Sequence, residues 1–321
     1  PRHRRATSSN VGGGATPVLD ACTVSYCVAS TAATHDQAAG GGIAVTGSGS
    51  GATVRRCAIL HNIVADNSGA QNCCGGGIAA WEAGAVRIEH STIADNVAGV
   101  AGVASRGGGV CVYKSDVRLT DCVIADNVAG DQSRVHVGSL LDRGGGLFAF
   151  GAGTQLQATR CDIRGNATVS NPPTSYDMDR HDDGGGVTVW GAAGLRVELT
   201  HCLIRGNTAG GRGGGVELAH GARATLRHNT FYANSGGTGS GLNLYNSDAA
   251  IIENNIFAGH IADDGRAIYS DRTVAVSYNA FHDNTNPNKR TDETGSVYAD
   301  PLFADAAAGD FHLRARAGRW D

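Results

Sequence analysis

The sequence predicts an all-β chain wound as a parallel β-solenoid. Three recurring features carry that prediction. A glycine triplet returns along the chain, as in Gly40-Gly41-Gly42 and Gly144-Gly145-Gly146, each time followed by alternating apolar residues. A second phrase sets an asparagine five residues after a Cys, Ser or Asn, as in Cys122-Val123-Ile124-Ala125-Asp126-Asn127. Between these phrases the apolar spacing is two, as in Val117-Leu119 and Val197-Leu199, and no 3.6-residue period appears.

The glycine phrase begins each strand. Its copies end in Ile43-Ala44-Val45, Ile78, Val110-Cys111-Val112, Leu147-Phe148, Val187-Thr188-Val189 and Val216-Glu217-Leu218, with a degenerate copy at Gly239-Ser240-Gly241. The second phrase turns the corner. Its nine copies begin at Cys22, Cys57, Ser91, Cys122, Cys161, Cys202, Asn229, Asn255 and Asn279, which predicts about nine coils. Coils stack about 4.8 Å apart, so the corner asparagines should form one ladder of amide hydrogen bonds. Cys122, Cys161 and Cys202 should form another ladder of small buried thiols beside Ile124, Ile163 and Ile204. Nine cysteines is an odd number, so at least one thiol lacks an intrachain partner. The adjacent Cys73 and Cys74 read as two ordinary thiols in preference to a vicinal disulfide.

Composition excludes several classes. Glycine supplies 48 of 321 residues without proline excess or a three-residue period, which rules out collagen. A net charge of −4 is no nucleic-acid footprint. No apolar run is long enough for a membrane helix. The start, Pro1-Arg2-His3-Arg4-Arg5, lacks the apolar stretch of a signal peptide, so the chain reads as a mature portion or fragment.

The triplet followed by Ile or Val, then Cys-x-Ile-x-x-Asn-x-Ala, resembles the right-handed parallel β-helix repeat of the pectin-lyase-like superfamily. The same phrases also resemble the repeats of polymorphic outer-membrane adhesins. The resemblance spans about residues 12 to 285, and Asp300-Pro301-Leu302-Phe303 with Gly309-Asp310-Phe311 resembles the closing segment of many secreted or surface β-helix proteins. It implies a β-helix over 1–285, a truncated closing segment over 286–321, and an extracellular or cell-surface setting. That superfamily holds lyases, hydrolases, epimerases, adhesins and phage spikes, so function must come from a site.

Two outer features and one loop supply candidates. Six residues after each triplet begins stand Thr46, Trp81, Tyr113, Phe150, Trp190, Ala219 and Tyr245, outward by alternation. This aromatic stripe suits stacking on sugar rings, or a protein interface. Just before the triplets stand Arg106, Arg143, Asp183 and Arg212, a surface ion-pair ladder or a set of guanidinium forks for an acidic sugar. The longest loop, 167–183, carries Tyr176, Asp177, Asp179, His181, Asp182 and Asp183. Its carboxylates at Asp177, Asp179, Asp182 and Asp183 suit calcium as readily as a solvated loop. Tyr176-x-x-Asp179-x-His181-Asp182 is similar to the tyrosine, aspartate and histidine motif of alginate epimerases and related β-helix lyases, with Arg180 in place of that motif's proline.

The resulting expectation is a secreted or surface β-helix that binds, and in the enzymatic version cleaves, an acidic polysaccharide. For β-elimination, Arg143 or Arg212 or a cation neutralises the uronate while His181 or Tyr176 handles the proton. Hydrolysis by Asp182 and Asp183 beside Asp179 is the second enzymatic version. The rival is a non-catalytic adhesin, spike or filament subunit in which the stripe is an interface between proteins.

Overall fold

The structure is a computed structural model that describes residues 9–29, 38–64, 72–99, 104–130, 142–168, 182–247, 250–260, 266–286 and 288–314. Tyr176, Asp177, Asp179 and His181 lie outside the described residues. Among those described there is no α-helix, and short parallel strands stack coil upon coil.

Each coil contributes a strand to three long columns. The first column holds Ile43–Thr46, Ile78–Trp81, Val110–Tyr113, Leu147–Phe150, Val187–Trp190, Val216–Ala219 and Leu242–Tyr245. The second holds strands such as Asp116–Thr120, Gln155–Thr159 and Arg196–Thr200. The third carries Val123–Ala125, Asp162–Arg164 and Leu203–Arg205. Closing so short a loop of chain demands corners that open backbone can pass. Gly145 meets that demand: a Cβ there would lie 2.4 Å from the Ala167 carbonyl oxygen. Its neighbour Gly144 adopts a φ of 64°, which glycine takes without strain.

Alternation fills the interior. Ile124, Ile163 and Ile204 are partners in register and fully buried, with Cys122, Cys161 and Cys202 buried one corner away. Their spacing matches the expected ladders. The asparagine ladder is continuous from Asn62 through Asn234. Asn127 Nδ2 donates to Asn166 Oδ1 at 2.9 Å, and Asn127 N donates to the same oxygen at 3.0 Å. The same Nδ2 also donates to the Ile93 carbonyl at 2.9 Å, on the preceding coil. These bonds satisfy buried backbone groups that the corner would otherwise strand. At the C-terminal end the cysteine position becomes asparagine, and Asn229, Asn255 and Asn279 form a second amide ladder.

The cysteine expectation needs one correction. Cys74 is bonded to Cys111 with Cα atoms 5.5 Å apart, while Cys73 is buried. Adjacent strand residues face opposite ways, so Cys73 turns away from the face that Cys74 shares with the next coil.

After the last coils, Phe303–Asp305 and Asp310–Leu313 form an antiparallel pair. Phe303 and Phe311 seat on Tyr232 with ring centroids 5.9 and 4.9 Å away. The closing segment therefore clasps the flank of the third column.

Candidate functional site

The outer face of the first column carries the site. Strand alternation sends Ala79, Cys111, Phe148, Thr188, Glu217 and Asn243 outward as a floor, and all six are buried all the same. The stripe residues Trp81, Tyr113, Phe150, Trp190 and Tyr245 rise along one side of that floor, and the residues before the triplets rise along the other. The floor is covered because the two sides meet across it.

Those contacts have a repeated geometry. Arg106 lies over Phe150 at 5.2 Å and Phe148 at 5.8 Å from the ring centroids. Arg143 lies 3.8 Å over Trp190, and Arg212 lies 3.9 Å over Tyr245. Each arginine thus leans one coil toward the C-terminal end, onto a ring of the following strand. The guanidinium plane is weakly hydrated and matches an aromatic face, which favours this packing by roughly 0.5–2 kcal/mol per pair. The rings also touch one another: Trp81 and Tyr113 are 4.1 Å apart and Tyr113 and Phe150 4.6 Å. The stripe is consequently half-buried, less open than the outward alternation alone suggests.

The stripe does not end where its sequence register fails. Ala219 occupies the ladder position after Trp190 and is buried. The next residue, His220, fills the gap and is exposed, with its ring 4.1 Å from Trp190 and 5.6 Å from Tyr245. Burial, then the charges of Arg143 and Arg212, push its pKa below the usual 6.5.

Between the arginines sits a buried acid pair. Asp183 pairs in register with Arg143, and its Oδ1 accepts the backbone N–H of Arg212 at 3.1 Å. Burial raises Asp183 to about 6 against the opposing charges of Arg212 and Arg143. Glu217 is fully buried one strand further, and neither of its carboxyl oxygens has a hydrogen-bond partner. Burial, reinforced by Asp183, lifts its pKa well above the usual carboxylate range. The Nε atoms of Arg106 and Arg143 are likewise buried without hydrogen-bond partners. Burial and the neighbouring Arg143 charge lower Arg106 to about 10, and burial is also the leading cause that lowers Arg143.

The structure brings Arg106, Arg143, Asp183, Arg212 and the five aromatics together on one face. It does not bring Asp182 and Asp183 into one pair. Asp182 Oδ1 accepts the Asp142 backbone N–H at 3.0 Å, while Asp183 bonds to Arg212 on the arginine side. Successive residues of an extended bridge point apart. Among the described residues no group of three or more His, Cys, Asp or Glu could hold a metal ion. Asp177 and Asp179, on which the calcium expectation also rests, are outside them.

Sequence reasoning missed Glu217 and His220. Glu217 is the charged member of a floor ladder that otherwise reads Ala, Cys, Phe, Thr and Asn, so lining up the strands would have exposed it. His220 follows the single gap in the aromatic register between Trp81 and Tyr245.

Fold and face together define a β-solenoid with a cationic, aromatic-lined outer surface. The chain belongs to the family described as the right handed beta helix region, whose model matches residues 6–200 and 186–300. No curated protein and no solved structure matches the chain.

Proposed function

We propose that this protein is secreted or displayed at a cell surface, where it binds an acidic polysaccharide along the first-column face and cleaves it by β-elimination. The single observation that carries this reading is the repeated stacking of Arg106, Arg143 and Arg212 on the rings of the following coil. Sugar rings pack their apolar faces on aromatics, and guanidinium forks take uronate carboxylates. A linear polymer lying along the solenoid axis meets this pair of chemistries at Arg106, Arg143 and Arg212, with Asp183 interrupting the cationic series. In the elimination, Arg212 neutralises the carboxylate and so makes the adjacent carbon acid enough to lose its proton, while Arg143, buried beside Asp183, supports the Trp190 ring.

Calorimetry with polygalacturonate, alginate and a neutral glucan tests the binding. The acidic polymers should bind with an affinity that falls as salt rises, and the neutral one should not. Trp190→Ala should weaken that binding at least about tenfold, the loss expected when a stacking ring and its bound guanidinium go together. Equal binding of acidic and neutral polymers, or none, overturns the reading and favours a face built for a partner protein.

A further inference from the structure

We propose that His201 and His228 bind a divalent transition-metal ion of the zinc class, which clips two successive coils together at the corner between the second and third columns. The proposal is independent of the polysaccharide reading, because this corner and the first-column face share no residue.

The corner fixes where the two side chains stand. On successive coils the residue after the second-column strand turns at a positive φ, as Asp121, Arg160, His201, His228 and Asn254 do. Aspartate, asparagine and histidine tolerate that left-handed turn better than most residues, so a single histidine here needs no further cause. A facing pair does. His201 and His228 share a φ of 56°, which points their side chains the same way. The His201 backbone N–H donates to the Arg227 carbonyl at 3.2 Å, so the two corners lie one coil apart. Both imidazoles are exposed and stacked, with centroids 4.9 Å apart and planes 22° from parallel.

Their surroundings separate this pair from the other corner histidines. His61 Nδ1 lies 3.9 Å from Asp95 and His90 Nδ1 lies 3.8 Å from Asp121, so each already faces a carboxylate. His220 lies between Trp190 and Tyr245. Among the described residues the His201 and His228 rings make no hydrogen bond or ion pair, and their contact is with each other. The neighbouring cations are paired. Arg160, on the preceding coil, is held by Asp121 through two bonds of 2.7 and 2.8 Å, and Arg227 by Glu253 at 2.6 Å. Neither guanidinium is left uncompensated to repel a metal ion.

The chemistry of the donors selects the ion. A neutral imidazole offers one nitrogen lone pair, which suits zinc, nickel and copper, whereas calcium takes oxygen ligands. Zinc holds each nitrogen at about 2.0–2.1 Å, so one nitrogen from each ring must converge from the stacked arrangement. Exposed rings with no other partner make that turn at little cost, and water completes the coordination. The two histidines stand 27 positions apart in sequence, so the unfolded chain does not hold them together. An ion that binds the folded form alone raises its stability.

Thermal melting and calorimetry with zinc chloride, and with calcium chloride as control, test the site in wild type, His201→Asn and His228→Asn. Asn254 already holds the same turn at a φ of 56°, so both variants should melt close to wild type without metal. Zinc should raise the wild-type melting temperature and calcium should not. Each variant should lose that rise and bind zinc roughly 100-fold more weakly, because a two-point attachment becomes a single one. The chain holds 12 histidines, so a zinc response retained in full by either variant places the ion elsewhere and overturns the proposal. Absence of a zinc response in wild type overturns it too, and an equal response to calcium overturns the class of ion.

Discussion

Asn234 donates its backbone N–H to His260 Nδ1 at 3.2 Å, whereas Asn62, Asn96, Asn127, Asn166 and Asn207 each donate to the next asparagine's Oδ1. The imidazole continues the ladder as an acceptor. Its Nε2, however, is fully buried with no hydrogen-bond partner.

His260→Asn should therefore stabilise the protein. An amide there offers an Oδ1 to both donors of Asn234 and removes the stranded ring nitrogen. A gain of about 1–2 kcal/mol at pH 7 is expected. Denaturant unfolding of the two proteins side by side measures it, and a loss of stability would show that the ring is better packed than the amide.

The advantage of that variant should grow in acid. Burial lowers His260 from 6.5 to about 4, with the Asn234 bond opposing, so the folded state keeps the ring neutral after the unfolded chain has begun to take up protons. Stability owed to neutral His260 is complete above pH 6.5 and drains away as pH falls toward 4, by about 3 kcal/mol in all. Comparing His260→Asn with wild type at pH 7 and pH 5 isolates this effect from other titrating groups.

Glu217 should show the opposite slope. Its folded pKa is raised by burial, so it favours the fold below the ordinary carboxylate value near 4.5 and costs stability as pH rises. Glu217→Gln should be more favourable relative to wild type at pH 8 than at pH 5. A stability difference that does not change between those values would mean that Glu217 ionises as freely as in the unfolded chain.

Ile163 offers a test of the interior. It is fully buried between Ile124 and Ile204. Ile163→Asp places an unpaired charge in a closed core and should cost more than about 4 kcal/mol, while Ile163→Val should cost about 1 kcal/mol. Circular dichroism melts of both variants provide the reading, and a wild-type-like melt of the aspartate variant would refute the packing.

The interior was legible because its rules are local. A period of two fixes which side of a strand Ile163 takes, and the glycine and asparagine phrases fix where each coil starts and turns. The exterior depends on neighbours from different coils. Arg143 meets Trp190 and Cys74 meets Cys111 because stacking removes the loops between them, and a residue-by-residue reading carries the loop lengths without the stack. His220 shows the limit most clearly. Its place in the stripe comes from the smallness of Ala219 beside it, a fact about empty space that no motif encodes. Asp182 and Asp183 read as a pair by adjacency, yet extended backbone turns adjacent side chains apart.

The Asn127 side chain joins its own coil to Ile93 on the one before and to Asn166 on the one after. Its neighbours in the ladder do the same, so the bonded triads overlap like roof tiles. A force applied at one end cannot peel away a single turn without also loosening the amide that the next turn shares with it. Under tension the rod should yield in steps longer than one turn. A polymer gripped along its outer face would then pull against a support whose stiffness is set by this inner seam.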